Sequence, residues 1–289
     1  MRPSSDGPPD AAQDPPEADS RSPSFPSSRL RRMGRHMRDL HATLGPVLPV
    51  GLLFAAASLL LFLLLAVLIE RGSTLGFDHF LLLWLDARSN PRLDTVALEV
   101  TSLGSIYVTG VGLIIASVLL WQTRHRFSAV LLWAAVAGGW GLNPLLKALF
   151  DRPRPELFEW RVPHAGRSSY PSGHAMTAMI FYATIAYLLI RLESTRAFKG
   201  LTLTFFVVVI LLVGVSRVYL GVHYPSDVIG GFFVGFAWAA LSAIGIEAIR
   251  YRVHRSEVRD QGLGAPRSHS EPVSSHRAVP PGGALTPED

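Results

Sequence analysis

The chain has 289 residues, 49% of them hydrophobic and only 17% charged, with a mean hydropathy of +0.30, a balance that leans towards a membrane protein. The absence of cysteine excludes disulfides, thiolate catalysis and cysteine-ligated metals. The net charge of +5 is modest, and its distribution matters more than its sum.

Residues 1–28 are rich in Pro, Ser and Asp without an apolar centre, so they read as a disordered tail and not as a cleavable signal peptide. With the basic stretch that follows, they form a flank over 1–45. A membrane domain is expected over 46–250 and a second disordered tail over 251–289. The first apolar run covers 50–69; about 20 residues at roughly 1.5 Å each cross a hydrocarbon core of about 30 Å. Similar runs follow at 96–121, 128–150, 175–190, 201–220 and 228–249, the fourth being the shortest. The stretch 74–94 mixes a Leu-rich centre with Asp78, Asp86, Arg88 and Arg92, and reads as an interfacial helix. The expected fold is all-α: a polytopic bundle of six transmembrane helices with an interfacial helical segment after the first span.

Orientation follows from Lys and Arg in the short flanks. Arg29, Arg31, Arg32, Arg35 and Arg38 precede the first span. Arg124 and Arg126 lie in the second connection, Arg191, Arg196 and Lys199 in the fourth, and Arg250, Arg252, Arg255 and Arg259 follow the last span. Six spans put all of these on one side, expected to be the cytoplasm, with both termini there. The connections at 70–95, 151–173 and 221–227 then share the outer side. The middle one is also Arg-rich, so its arginines need another reason to be there.

Three polar stretches fall at that outer side, each at the end of an apolar run, where polar groups are costly unless they have a task. They are Lys147 with Arg154-Pro155, then Pro171-Ser172-Gly173-His174, then Ser216-Arg217 with His223 and Asp227. Cleaving a phosphate ester needs cations on the non-bridging oxygens, an in-line nucleophile and a proton for the leaving oxygen. Lys147, Arg154 and Arg217 supply cations. Ser172 and the N–H groups of Gly173 and His174 open a helix, a ready anion site. His223 and His174 divide the remaining work as nucleophile and acid/base. Chemistry alone permits either assignment; Asp227, four residues after His223, favours His223 as the nucleophile.

Each stretch alone has an ordinary explanation: a helix stop with a snorkelling cation, a turn with a helix cap, a capping pair. Together, in this order and on one face, they resemble the signature of the type-2 phosphatidic acid phosphatase superfamily: K-x6-R-P, P-S-G-H and S-R-x5-H-x3-D. Every signature position matches without a change of spacing. The resemblance implies metal-independent hydrolysis of a membrane lipid phosphate or pyrophosphate, of the phosphatidic acid, phosphatidylglycerophosphate or polyprenyl pyrophosphate class, through a phosphohistidine at His223. It further implies that Asp227 orients His223, that His174 is the acid/base, and that Lys147, Arg154, Ser172, Gly173 and Arg217 bind phosphate. No cofactor and no metal are implied. Soluble haloperoxidases share the signature and hold vanadate, but lack the apolar spans.

The alternatives are a lipid phosphotransferase using the same phosphohistidine, and a non-catalytic anion-binding transporter. A metal site made of His174, His223 and Asp227 is disfavoured by the neighbouring Arg217 and Lys147. Outside the signature, Arg152 reads as facing headgroups, though it could guide substrate. Asn143 could bond Lys147 or its helix neighbours, Glu99 reads as a pairing or interfacial residue and not a catalyst, and His164 belongs to a surface loop. The expected partners are the lipid bilayer and a membrane lipid phosphate substrate, with no nucleic acid; the oligomeric state is open. The expected setting is the cell membrane, with the site facing outward.

Overall fold

Apolar runs of bilayer length must satisfy their own backbone hydrogen bonds, and in the computed structural model all of them are helical. Residues 47–162 and 166–262 are described, with side chains from 49 to 249 within those ranges. The chain divides into two units, Met1–Val50 and Gly51–Asp289. Apart from the first residues of the first helix, which begins at Val47, the helices lie in the second. The tail expected at 1–45, most of that expected at 251–289, and His164 lie outside the described residues.

Among the described residues there are eight helices and no strand. They are α1 (Val47–Glu70), α2 (Leu75–Asp86), α3 (Pro91–Ser102), α4 (Ile106–Gln122), α5 (Arg126–Phe150), α6 (Gly173–Leu192), α7 (Arg196–Tyr219) and α8 (Pro225–Gly262). Five are long and apolar enough to cross a bilayer: Pro49–Glu70 of α1, then α5, α6 and α7, and Pro225–Ile249 of α8. The remaining expected span, 96–121, is broken. Here α3 and α4 meet at 45° and make a sixth crossing only when counted together.

The break has a local cause. The Ser105 side chain caps α4 by accepting from Val108 N at 3.2 Å, which starts a new helix inside the apolar run. Gly104, just before it, lets the corner close onto its neighbours. A Cβ there would lie 2.6 Å from Val213 Cγ1 and 2.9 Å from His174 O. The stretch read as one interfacial helix is likewise divided. Asn90 caps α3 by accepting from Arg92 N and Leu93 N, with Pro91 opening the helix. What remains before it is α2, which buries Asp78 and Leu82. At the other end, α8 continues to Gly262, past the point where a tail was expected, because residues 250–261 hold no glycine or proline to stop it.

Helix α6 is the centre of the bundle. Half of its most apolar stretch is buried, the largest share among the five unbroken spans. It packs against α5, α7 and α8 through Ala175, Met176, Ala178, Ile180 and Phe181. The loop that enters α6 is pinned by Tyr170, whose ring stacks on Phe62 at 5.4 Å and meets Phe150 edge-on at 5.1 Å. Its hydroxyl donates to Phe62 O at 3.2 Å. Between α7 and α8 the chain reverses through Gly221, at φ 79°, where an added Cβ would lie 2.5 Å from Phe158. Gly221→Val is therefore expected to cost about 2 kcal/mol of stability, read as a lowered unfolding midpoint in detergent. Gly76→Ala, whose Cβ meets nothing within 4 Å, should keep the wild-type midpoint.

Candidate active site

The ends of α5 and α7 and the starts of α6 and α8 converge at one end of the bundle and between them deliver the three polar stretches. Helix α5 brings Lys147 in its last turn and ends at Asp151 in the left-handed region, φ 35°, which turns the chain into the 151–172 loop. Lys147 Nζ donates to Ser168 O at 2.8 Å, and Ser168 Oγ donates back to Lys147 O at 3.1 Å. Arg154 is buried. Its Nε donates to Gly166 O, and its Nη1 donates to Val222 O and lies 3.3 Å from His223 Nε2. Burial pulls the Arg154 pKa below the usual arginine value, with Asp227 opposing; an arginine keeps its charge through such a shift.

His223, in the turn after Gly221, is 2% exposed. Nδ1 lies 3.4 Å from Asp227 Oδ2 and 3.4 Å from Ser169 Oγ. A guanidinium can only donate, so Nε2 beside Arg154 carries the lone pair, and the ring proton belongs on Nδ1, facing the carboxylate. Burial, reinforced by the charges of Arg217, Arg154, Lys147 and His174, holds the imidazole well below its ordinary pKa. The ring is therefore neutral, the form able to act as a nucleophile.

Asp227, in the first turn of α8, is fully buried. It accepts from Arg152 Nη1 at 2.7 Å, from Tyr224 N at 2.9 Å and from Ser169 Oγ. Its backbone carbonyl accepts from Ser172 N at 3.0 Å, which ties the starts of α6 and α8 together. Ser172 is the N-cap of α6 yet makes no capping bond with its side chain. Its Oγ and the Nε of buried Arg217 have no partner among the described residues. These are donors of the kind a phosphate oxygen satisfies. Arg217 Nη1 is held by Thr101 Oγ1 at 2.9 Å. Gly173 lies close to Asn143, whose Oδ1 would be 3.0 Å from an added Cβ. His174 is half-buried, and its ring makes no hydrogen bond to a described residue.

The structure thus gathers Lys147, Arg154, Ser172, Gly173, His174, Arg217, His223 and Asp227 around the four helix ends. It also corrects the reading of Arg152. That side chain does not face headgroups: it is 9% exposed and forks onto Asp78 at 3.0 Å and Asp227 at 2.7 Å. Asn143 bonds neither Lys147 nor its own helix; its Nδ2 donates to Met176 Sδ at 3.5 Å. Glu99 is exposed, in keeping with an interfacial position. Ser169, Asp78 and Thr101 were missed, and Ser169, two residues before Pro171, lay nearest to a motif. No group of three His, Asp or Glu able to hold a metal occurs among the described residues.

The model of the PAP2 superfamily matches residues 128–250. Phosphatidylglycerophosphatase B of Bacillus subtilis is 32% identical over 177 residues, which cover 61% of this chain and 86% of that protein. The chain belongs to the PAP2 superfamily. As a member it is an integral membrane lipid phosphatase of a metal-independent family. A crystal structure described as the first transmembrane PAP2 type phosphatidylglycerolphosphate phosphatase from Bacillus subtilis superposes with a TM-score of 0.62 at 30% identity, covering 68% of this chain and 96% of that one. Lipid A 1-phosphatase of Rhizobium johnstonii is 35% identical over 124 residues, 40% of this chain and 46% of that protein, so the chain spans less than half of that relative.

The neutral His223 gives this PAP2 phosphatase a pH signature. The folded pKa lies below the ordinary value of 6.5, so the unfolded chain binds more protons as pH drops through that value. Stability contributed by the neutral ring is present above about pH 6.5 and is lost below it. Unfolding midpoints in detergent should therefore fall more between about pH 7.5 and pH 5 for the wild type than for His223→Asn.

Proposed function

We propose that this chain hydrolyses a lipid phosphomonoester of the phosphatidylglycerophosphate class through a phosphohistidine on His223. The observation that carries the reading is the placement of the His223 ring. Nδ1 faces Asp227 Oδ2 at 3.4 Å, while Nε2, with its lone pair, faces Arg154 Nη1 at 3.3 Å. One nitrogen is committed to a carboxylate, and the other stands beside a cation that attracts phosphate.

In the mechanism this supports, Lys147, Arg154 and Arg217 take the phosphate oxygens, with Ser172 Oγ and the first N–H groups of α6 at Gly173 and His174. Nε2 of His223 attacks phosphorus as the ester P–O bond breaks. His174 protonates the leaving alkoxide. It then takes a proton from water, which attacks the phosphohistidine, releases inorganic phosphate and restores neutral His223. Asp227 offsets the positive charge that the ring acquires while bonded to phosphorus.

The substrate class is supported by the likeness to the Bacillus subtilis phosphatidylglycerophosphatase over most of that protein's length. It also suits a site at the ends of spans, where acyl chains stay in the bilayer while the phosphate enters. The flanks at the opposite ends, with Arg124, Arg126, Arg191, Arg196 and Lys199, favour a site on the outward face of the cell membrane.

Purified protein in mixed micelles should release phosphate fastest from phosphatidylglycerophosphate in a panel with phosphatidic acid, polyprenyl pyrophosphate and soluble esters. His223→Ala should fall to background, and vanadate should inhibit competitively. Turnover of soluble esters alone, or vanadate inhibition that substrate cannot relieve, contradicts the reading.

A further inference from the structure

Arg152 comes from the connection that carries Arg154, yet it turns away from His223 and into a buried network. Nη1 donates to Asp227 Oδ1 at 2.7 Å and to Ser226 Oγ at 2.8 Å. Nη2 donates to Asp78 Oδ2 at 3.0 Å. The guanidinium lies over the Tyr224 ring, 4.1 Å from its centroid. Asp78, contributed by α2, is fully buried and also accepts from Ser226 N at 2.9 Å and Ser226 Oγ at 2.6 Å. On the far side, Asp227 Oδ2 faces His223 Nδ1. A line of groups of alternating charge, Asp78, Arg152 and Asp227, thus runs from α2 to the neutral His223 ring in the turn before α8.

We propose that Arg152 and Asp78 are positioning residues for the reaction: Arg152 holds the Asp227 carboxylate against His223, and Asp78 balances Arg152 so that Asp227 keeps its negative charge for the imidazole. The proposal rests on the reading of His223 as the nucleophile. As the N–P bond forms at Nε2 and the ester P–O bond breaks, the ring becomes positive while Nδ1 keeps its proton. That proton stays on the ring only if the facing carboxylate is an anion held in place. An arginine with no second partner would draw that charge to itself, and two carboxylates without the arginine would repel each other in a site sheltered from water. With both present, each charge in the line has an opposite neighbour. Ser226 fixes the geometry by bonding Asp78 through both its N–H and its hydroxyl while accepting from Arg152. Asp78 touches no signature residue directly and acts through Arg152.

The test uses the full chain in mixed micelles with a lipid phosphate substrate, comparing Asp78→Asn, Arg152→Gln and the double variant, with His223→Ala as the blank. Each single variant should lower kcat by about ten- to a hundred-fold, the scale of lost outer-shell partners. KM should stay within about two-fold, because the phosphate-binding cations are untouched. The double variant, which removes one charge of each sign, should turn over faster than either single variant; simple loss of structure would make it slower. Wild-type kcat in either single variant, or a double variant that is not faster than both singles, overturns the proposal. Should Asp78→Asn not accumulate as folded protein, Arg152→Lys against Arg152→Gln decides. Lysine keeps the charge and must give the higher kcat at equal KM, and equal rates overturn the proposal. Turnover retained in His223→Ala would instead overturn the reading of the nucleophile, whatever the other variants do.

Discussion

A carboxylate shielded from water at the start of a membrane helix costs several kcal/mol unless its oxygens are filled, and those of Asp227 are. It accepts from Arg152, Ser169 and Tyr224 N, and faces His223. Its own backbone carbonyl accepts from Ser172 N. Four separate pieces of chain, the 151–172 loop, the start of α6, the turn after α7 and the start of α8, are therefore fastened at one residue. The cost of burying that charge is what enforces their convergence, because each partner lost would leave it less compensated.

The cations present the opposite problem. Lys147, Arg154 and Arg217 act together on His223, and among the described residues no carboxylate forms an ion pair with any of the three. Lys147, Arg154 and Arg217 are held by neutral acceptors instead: Ser168 O, Gly166 O, Val222 O and Thr101 Oγ1. Neutral acceptors fix the geometry without cancelling the charge, so the positive potential is directed at an incoming anion. The acids are segregated on the other side of His223, around Arg152. The imidazole sits at the boundary, with Nε2 towards the cations and Nδ1 towards the acids, and that polarity makes its two nitrogens chemically inequivalent.

The spans and the signature were legible in the sequence because each depends on local pattern. Unbroken apolar length reports a membrane helix, and residues at fixed spacings around Pro171 and Pro225 report turns that must present particular side chains. The break at Gly104 and Ser105 was not legible, since a small residue and a hydroxyl inside an apolar run are compatible with a continuous membrane helix. Asp78 was hidden for a different reason. It lies 74 residues from Arg152 in an amphipathic stretch whose charges suit a water-facing surface. Only the packing of α2 against α7 and α8 turns its side chain inward. Arg152 was misjudged with it, because a cation whose partners come from distant segments cannot be told from a snorkelling one by position alone.

The central claim is that His223 carries the phosphoryl group between substrate and water. Its most direct test is to mix the protein with substrate labelled in the phosphate, quench in alkali within the first turnover, and locate the label by peptide mapping. The account predicts an acid-labile, base-stable phosphoryl group on His223 that is absent in His223→Ala. A label on any other residue contradicts it, as does turnover without a covalent intermediate.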